Sequence, residues 1–449
     1  MTSPAAYDDI AAIATAPGRG GVAVVRVSGP GAFGIAAAVA GRRFSAADAG
    51  RFFYRTFRDA AGNAADRGLV LVFAAPHSYT GEDCVEFQGH GGSVAPRRVL
   101  SACIAAGARL ARRGEFTMRA FLNGRIGIDA AEAVLDLVDA RTARAADDAL
   151  LRMEGAPRRR MEAFYADLVS ASADMERFLD FDEGDGPPGF IAAMPDRIAA
   201  LSARCAAMEA AAGETRLLRE GVRTAICGLP NAGKSSLMNA ILGEQRSIVS
   251  AAAGTTRDYI EESVEIDGWP VVLADTAGTR DDVSGEAEAA GVALARSIRS
   301  RADVVLDVSD GTLPVPPPAS GGGDGPLRRT VRCRTKCDLP GFIPAPDAIS
   351  VSSATGEGLD RLRAAIARAA AELAAGAGEE SAADDTVLSR AALSAVSAHL
   401  RAAADALAAD PAVAACALRD AALAAGRAIG RVWSDDMLES LFSRFCVGK

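Results

Sequence analysis

The chain has 449 residues, is 49% hydrophobic and 24% charged, and carries 58 acidic side chains against 49 Lys and Arg, a formal net charge of −9. This length exceeds what one hydrophobic core serves, so two or three domains are expected. The negative balance argues against a protein that coats nucleic acid non-specifically, because such binding needs many Lys and Arg contacts to phosphate.

The eight cysteines lie at irregular spacing, several of them in apolar runs such as those around Cys103, Cys205 and Cys416. This usage is typical of reduced thiols in the cytosol. Cys333 and Cys337 are four positions apart, but no second Cys or His pair follows, so we expect no metal there. Neither a signal peptide nor an apolar run of transmembrane length is present in the sequence, which predicts a cytoplasmic protein with no membrane partner.

The first ~120 residues predict a mixed α/β domain. Strands are expected in GGVAVVRVSG (20–29) and LVLVFAAP (69–76), and a helix in RRVLSACIAAGARL (97–110). A helical period follows: residues 128–155 read as one run that ends at Gly155. The next helix has a single apolar stripe, and another helix is expected over 195–218. The stripe consists of Met161, Phe164, Leu168, Ala171, Met175 and Phe178.

An alternating β/α block begins at Arg223 and lasts to about residue 375, after which helical character returns at Leu393, Val396 and Leu400. Pro411 breaks this part, and a last helix is expected from Ser434 and Asp435. Helices on both flanks indicate an inserted domain, with one all-helical unit built from both flanks. The predicted segments are 1–122 (N-terminal α/β domain), 123–218 and 377–449 (helical domain), and 219–376 (an inserted α/β domain with a mostly parallel sheet and helices on both faces). The Pro- and Gly-rich run 313–326 predicts an exposed loop.

The segment GLPNAGKS (228–235) fits G-x-x-x-x-G-K-[ST] between a strand and a helix. Gly228 and Gly233 allow backbone N–H groups to surround phosphates, Lys234 adds a positive charge, and Ser235 offers a hydroxyl to Mg²⁺. A simple Gly-rich helix entry is the alternative interpretation. Further segments along the chain argue against it.

DTAG (275–278) ends a strand, so Asp275 can reach Mg²⁺ through water and Gly278 offers an N–H near the γ-phosphate. GTTRD (254–258) lies where a switch segment belongs, with Thr256 able to complete the Mg²⁺ shell. TKCD (335–338) follows a hydrophobic strand, and Asp338 can accept two hydrogen bonds from guanine, a pattern that adenine does not offer. SSATGEG (352–358) is placed to close over the base. The order of these segments predicts that residues 219–376 form a Ras-like P-loop GTPase domain.

The residues expected to bind GTP are Asn231, Ala232, Gly233, Lys234, Ser235, Ser236, Ser250, Ala251, Ala252, Ala253, Gly254, Thr255, Thr256, Asp275, Thr276, Ala277, Gly278, Thr335, Lys336, Asp338, Ser352, Ser353 and Ala354.

The whole chain resembles the MnmE/TrmE family of tRNA-modification GTPases. The resemblance lies in DDIAAIATAPGRGGVAVVRVSG (8–29), SYTGEDCVEFQGHGG (78–92), GEFTMRAFLNGRIGIDAAEAVLDLVDA (114–140), the GTTRD and DTAGTR segments, and the terminal FCVGK (445–449). It implies GTP hydrolysis in support of modification of the wobble uridine of certain tRNAs at C5. It also implies an FAD-containing partner, MnmG (GidA), an N-terminal folate-binding module that forms a homodimer, and GTPase domains that pair with the help of K⁺.

The resemblance also assigns residues. Asn231, Ser250, Ala252 and Thr255 match the K⁺ ligands, and Ser235 and Thr256 match the Mg²⁺ ligands. The expected catalytic residues are Lys234, Gly278 and Glu288. Of these, Glu288 matches the acidic residue of the family that orients the attacking water. Glu286 lies close by, and a solvated carboxylate at a helix start is the alternative interpretation of Glu288.

For a tetrahydrofolate derivative of the 5-formyl or methylene type, the matching residues are Arg26, Glu86, Arg125 and Lys449. Arg125 stands where the family has Lys, which retains the charge but not the geometry. Cys446 matches the family's terminal cysteine and is a candidate for the modification site, with simple packing against a helix as the alternative.

Two departures from the family pattern affect the base site. Thr335 replaces the usual Asn, which removes an amide that bridges the base and the phosphate loop, and SSA (352–354) replaces the commoner SAK. Reduced GTP affinity with retained guanine preference is therefore expected. Two other functions stay open: a ribosome-assembly GTPase, against which the tail lacks a basic RNA-binding module, and a folate-binding switch protein, against which the N-terminal part lacks an obvious one-carbon catalytic residue.

Overall fold

The structure is a computed structural model that describes residues 8–179, 190–243, 261–275, 297–315, 328–375, 390–428 and 448. The chain divides into two compact units, residues 1–135 with 431–449 and residues 136–430. The four segments expected from the sequence stay a prediction in their boundaries. None of the described helices is both long and apolar enough to cross a membrane.

The first unit is built on a six-stranded sheet of order β3-β4-β5-β2-β1-β6, in which only β6 pairs in parallel, with β1. Its strands are β1 (Ile10–Ile13), β2 (Val22–Ser28), β3 (Phe52–Arg58), β4 (Ala64–Phe73), β5 (Cys84–His90) and β6 (Arg109–Leu110). Its helices are α1 (Ala32–Ala40), α2 (Ala95–Ala105) and α3 (Glu115–Leu122), with a 3-10 turn at Ala46–Asp48.

Helices α1 and α2 cover one face of this sheet, where Ile35 and Val99 share a core with Val25, Phe57 and Phe87. The strands expected at 20–29 and 69–76 are confirmed as β2 and the second half of β4. The helix expected over 97–110 is wrong at its end, because α2 stops at Ala105. Gly107 adopts a φ of 120°, which reverses the chain and allows residues 109–110 to pair with β1.

Two helices lie between the first unit's α3 and the helical bundle: α4 (Ile128–Asp139) and α5 (Ala143–Met153). The single run expected over 128–155 is therefore wrong. Thr142 has an extended backbone (φ −137°, ψ 156°), and its hydroxyl accepts a hydrogen bond from Ala145 N at 3.1 Å, so it caps a new helix. Gly155 (φ 71°) follows α5, as the sequence predicts.

The helical bundle joins both flanks of the inserted block. It consists of α6 (Ala156–Leu179), α7 (Phe190–Glu220), α10 (Arg390–Ala406) and α11 (Pro411–Ala428). The stripe residues from Met161 to Met175 are buried with Leu393, Val396 and Leu400, so the expected helical unit is confirmed; Phe178 is only half-buried. Pro411 starts α11, where its missing N–H costs no hydrogen bond. The helix expected from Ser434 lies outside the described residues.

The inserted block folds around a second sheet of order β12-β11-β10-β7-β9-β8, parallel except for β8. Its strands are β7 (Val222–Cys227), β8 (Glu261–Ile266), β9 (Trp269–Asp275), β10 (Val304–Asp310), β11 (Arg329–Thr335) and β12 (Ile349–Ser350), and its helices include α8 (Lys234–Leu242) and α9 (Leu359–Ala375). Helices α8 and α9 pack on one face, and Ile298 and Ala302 pack on the other. The expected doubly covered, mostly parallel sheet is confirmed. Its loops at the carboxyl ends of parallel strands form the site described next.

Candidate functional site

The phosphate loop connects β7 to α8 and depends on glycine at both ends. Gly228 has a φ of 157°, and a Cβ there would lie 2.1 Å from the carbonyl oxygen of Val308 on β10. Gly233 (φ 86°) directly precedes α8. Asn231 also adopts a positive φ of 61°, a conformation that Asn tolerates better than most residues. The loop is therefore shaped by its backbone, which points the first N–H groups of α8 at the space in front of it.

Lys234 is 7% exposed, and its ammonium donates to the carbonyl oxygens of Gly228 (3.0 Å) and Leu229 (2.9 Å). An ammonium has three protons, so one remains for a phosphate oxygen after these two bonds. The positive end of the α8 dipole lies beside this charge. Together they make an anion site of the kind found at helix N-termini.

A hydroxyl and a carboxylate meet next to this loop. The Ser235 hydroxyl donates to Asp275 Oδ2 at 2.7 Å, and Asp275, at the carboxyl end of β9, is 5% exposed. Hard oxygen donors of this type suit Mg²⁺, which binds one or two protein oxygens and keeps several waters. The two described residues that were predicted for Mg²⁺ are thus brought together.

On the other side of the loop, Thr335 at the end of β11 is 2% exposed. Its hydroxyl lies 2.7 Å from the carbonyl oxygen of Ala232 and 3.2 Å from that of Ser309, and donates to them. The sequence predicts that Thr at this position loses the amide link to the phosphate loop. The structure shows that a hydroxyl replaces that link on the loop side, which the sequence did not indicate.

The remaining base-side residues lie on two adjoining loops. Cys337 N donates to the carbonyl oxygen of Val351 at 3.2 Å, which joins the TKCD segment to the start of SSATGEG. The Ser352 hydroxyl oxygen accepts from the N–H groups of Ala354 (3.2 Å) and Thr355 (3.1 Å) and so closes this second loop on itself. Asp338 is exposed and free to face a ligand.

Sequence reasoning missed one charged partner at this site. Lys336 Nζ lies 2.6 Å from Asp310 Oδ2 at the end of β10. The hydrogen bond from Lys336 lowers the pKa of Asp310 to about 2, with further hydrogen bonds from Thr312 acting in the same direction. The available signal was an acidic residue, Asp310, directly after the hydrophobic run 302–309.

Several predicted site residues lie outside the described residues: Ser250, Ala251, Ala252, Ala253, Gly254, Thr255, Thr256, Thr276, Ala277, Gly278, Glu288, Cys446 and Lys449.

In the first unit, the candidate folate residues Arg26 and Glu86 face each other across β2 and β5, with Arg26 Nε 2.9 Å from Glu86 Oε1. The Arg26 guanidinium lies 5.3 Å from the centre of the Tyr79 ring and 5.5 Å from that of Phe116. Arg125 is on a neighbouring loop, where its Nε donates to the carbonyl oxygen of Ser78 at 3.3 Å. Arg26 and Glu86 are therefore brought together, whereas Arg125 is held by the backbone beside Tyr79.

The chain's penultimate residue returns to this unit. Gly448 is buried with a φ of 106°, and a Cβ there would lie 2.3 Å from the carbonyl oxygen of Ile13. Ile13 ends β1, and its neighbour Ala12 pairs with Arg26. Gly448 thus packs next to the strand pair that carries Arg26.

The phosphate loop before α8, the hydroxyl–carboxylate pair and the two base-side loops, all at the carboxyl edge of a parallel sheet, define a P-loop GTPase fold. Two family models match the chain: the N-terminus of the GTP-binding protein TrmE over residues 9–125, and the MnmE helical domain over residues 128–446.

Curated relatives are similar to this chain over almost its whole length. The tRNA modification GTPase MnmE of Geobacter sulfurreducens is 41% identical over 459 residues, with 98% of this chain and 99% of that protein covered. The proteins of the same description from Thermus thermophilus and Alkalilimnicola ehrlichii are also 41% identical, over 444 and 452 residues, with the same coverage. The chain belongs to the family of the tRNA modification GTPase MnmE. A solved G domain of the T. maritima FeoB iron transporter covers 33% of this chain and 98% of its own at 25% identity, with a TM-score of 0.24 that is too low to add to this assignment.

Proposed function

We propose that this chain hydrolyses GTP, with stimulation by K⁺, and that with an FAD-containing partner it installs an aminomethyl-type group at C5 of the wobble uridine in certain tRNAs. The observation that carries the proposal is the joining of the phosphate loop to the base loop through Thr335 and Ala232, in a chain that is similar over 98% of its length to tRNA modification GTPases. This hydrogen bond supports the proposal because it fixes the separation of the two loops that would hold the triphosphate and the guanine.

Lys234 and the N–H groups at the start of α8 bind and orient the phosphates, and their positive charge favours the charge that develops on the β–γ bridge in the transition state. Ser235 would hold Mg²⁺ directly and Asp275 would hold it through water, and Thr256 would complete this shell. Asn231, with Ser250, Ala252 and Thr255, holds K⁺. The two cations supply charge neutralisation that other GTPases obtain from an arginine. Gly278 donates to the γ-phosphate, and Glu288 orients the attacking water.

The first unit offers a surface for association with a second copy of the chain and a site for a folate. Helices α1 and α2 cover one face of its sheet, whereas Phe52 and Tyr54 on the edge strand β3 are 71% and 62% exposed on the other side. Exposed aromatic side chains on an edge strand mark an association surface, which supports a homodimer through this unit. Arg26, Glu86 and Arg125, with Lys449, bind the tetrahydrofolate derivative, and Cys446 is a candidate for the modification site.

The base specificity provides a direct test. The purified chain is expected to bind GDP and GTP but not ADP and ATP. Asp338→Asn replaces an acceptor pair by an acceptor and a donor, so it is expected to lose GTP and to gain affinity for XTP, whose C2 carbonyl accepts a hydrogen bond. Equal binding of GTP and ATP by the wild type contradicts the guanine assignment.

The cation proposal and the conformational role have their own test. GTP-driven closure of paired GTPase domains is the step that hydrolysis powers, and Asn231 contributes to it through K⁺. Hydrolysis is expected to be fast in KCl and slow in NaCl, and Asn231→Ala is expected to remove the difference. An equal rate in both salts, or an unchanged rate in the variant, contradicts it.

A further inference from the structure

The turn that follows β10, Asp310–Leu313 (the 310–313 turn), is bonded to the chain that follows β11. Gly311 N donates to the carbonyl oxygen of Thr335 at 3.0 Å, and Ile343 N donates to the carbonyl oxygen of Gly311 at 2.8 Å. A Cβ on Gly311 would lie 2.2 Å from the Phe342 ring and 2.4 Å from the Thr335 oxygen, so glycine is required for this approach. Of the residues in these contacts, only Thr335 belongs to a nucleotide motif.

A buried arginine on β11 also holds the 310–313 turn in place. Arg334 is 1% exposed, and its Nη2 donates to the carbonyl oxygens of Asp310 (3.2 Å), Gly311 (3.2 Å) and Leu313 (2.5 Å). A buried cation that donates to three carbonyls of one turn holds the backbone of that turn more firmly than a neutral donor would. The position of the turn relative to β11 is therefore set by Arg334, directly before the base loop 335–338.

The fixed turn presents one carboxylate to the base loop. Asp310 accepts hydrogen bonds from Thr312 N (2.9 Å), Thr312 Oγ1 (2.7 Å) and Lys336 Nζ (2.6 Å). The Asp310 side chain is 14% exposed and that of Lys336 34%. Lys336 also has a φ of 63°, the left-handed conformation that non-glycine residues rarely adopt. Both ends of the Lys336 side chain are thus constrained, the Cα by its backbone and the ammonium by Asp310.

We infer that Asp310 is a positioning residue for guanine nucleotides: it holds the Lys336 ammonium so that the methylene stem of Lys336 forms one wall of the guanine pocket. This inference rests on the proposed function. Lysine stems cover apolar surfaces well while the charge stays solvated or paired, and a base presents two such flat faces. Without Asp310, the ammonium is free to move, and the nearby triphosphate attracts it away from the wall. Bound nucleotide then dissociates faster.

The test measures dissociation of fluorescent GDP from the full-length wild type and from Asp310→Asn, Lys336→Met and the double variant. A hydrogen-bonded charge pair that is partly exposed predicts that each single variant raises the dissociation rate about 5- to 20-fold. Both single variants remove the same Asp310–Lys336 pair. GDP is therefore expected to dissociate from the double variant no faster than from the faster of the two single variants. Asp347→Asn is the matched control: Asp347 pairs with Arg332 on β11, and the side chain of Asp347 is 60% exposed.

The possible outcomes distinguish a failure of the proposed function from a failure of the positioning role of Asp310. Wild-type protein that does not bind GDP in preference to ADP contradicts the proposed function before any variant is compared. If the wild type prefers guanine but GDP dissociates from Asp310→Asn at the wild-type rate, only the positioning role is contradicted. The same holds if the rate increases of the two single variants multiply in the double variant. Urea unfolding of each variant identifies a general loss of stability: a rate increase in Asp347→Asn as large as in Asp310→Asn would assign the effect to stability and overturn the inference.

Discussion

Replacing Thr335 by Val tests whether the hydroxyl has taken over the loop-side role of the usual Asn. Val has nearly the same shape, but its methyl group does not approach a carbonyl oxygen to the 2.7 Å that separates the Thr335 hydroxyl from Ala232. The site is buried, with Thr335 2% exposed. Leaving a buried acceptor without its donor costs about 1–3 kcal/mol, and the loop must also shift to relieve the contact.

We expect the free energy of unfolding of Thr335→Val to fall by about 1–2 kcal/mol and its affinity for GDP to fall about 10-fold, since about 1.4 kcal/mol corresponds to a factor of ten. Urea unfolding and titration with fluorescent GDP measure the two quantities. Thr335→Ser keeps the hydroxyl and is expected to bind GDP within about 5-fold of the wild type, because a lost methyl group alone is worth about 1 kcal/mol or less. If Thr335→Val binds GDP as tightly as the wild type, the hydroxyl does not position the phosphate loop.

Three further predictions concern other contacts. Arg119 is fully buried against three carboxylates, so Arg119→Met should lower the free energy of unfolding by about 3–5 kcal/mol, measured by urea denaturation. Burial alone would raise the pKa of Glu115, but hydrogen bonds from Arg109, the Arg112 N–H and Arg119 lower it from 4.5 to about 2. The resulting stabilisation of the folded state, up to about 3 kcal/mol, is complete above pH 4.5 and is lost as pH falls to 2. Glu115→Gln should therefore flatten the plot of unfolding free energy against pH between pH 4.5 and 2. Gly228→Ala puts a methyl group 2.1 Å from the Val308 carbonyl oxygen, so it should abolish nucleotide binding by calorimetry; measurable binding would contradict the close approach.

Local patterns predicted the glycine loop between β7 and α8 well, for a physical reason. The glycines, Lys234 and Ser235 lie within eight residues, and a strand followed by a glycine loop and a helix has few possible geometries. The same holds for the buried stripe of α6, because helical period alone decides which side chains face the bundle. These parts of the fold required no knowledge of distant contacts.

Contacts between distant residues were not predictable in this way. Thr335 bonds to Ala232, 103 positions earlier, and Lys336 pairs with Asp310, 26 positions earlier. Both contacts depend on which strands are neighbours and on how far each loop extends, which no spacing in the sequence specifies. The break at Thr142 was missed for a different reason: an apolar helical period continues through it, although a Thr cap three residues before Ala145 is a recognisable start signal.

The most direct test of the central claim is mass spectrometry of tRNA nucleosides from a strain that lacks this protein, complemented with the wild type or with Lys234→Ala. Lys234 supplies the buried positive charge of the phosphate site, so its removal should eliminate GTP hydrolysis. The account predicts that the C5-aminomethyl uridines disappear in the deleted strain and return only with the wild type. Unchanged nucleosides in the deleted strain would contradict a role in tRNA modification, and full restoration by Lys234→Ala would contradict the requirement for GTP.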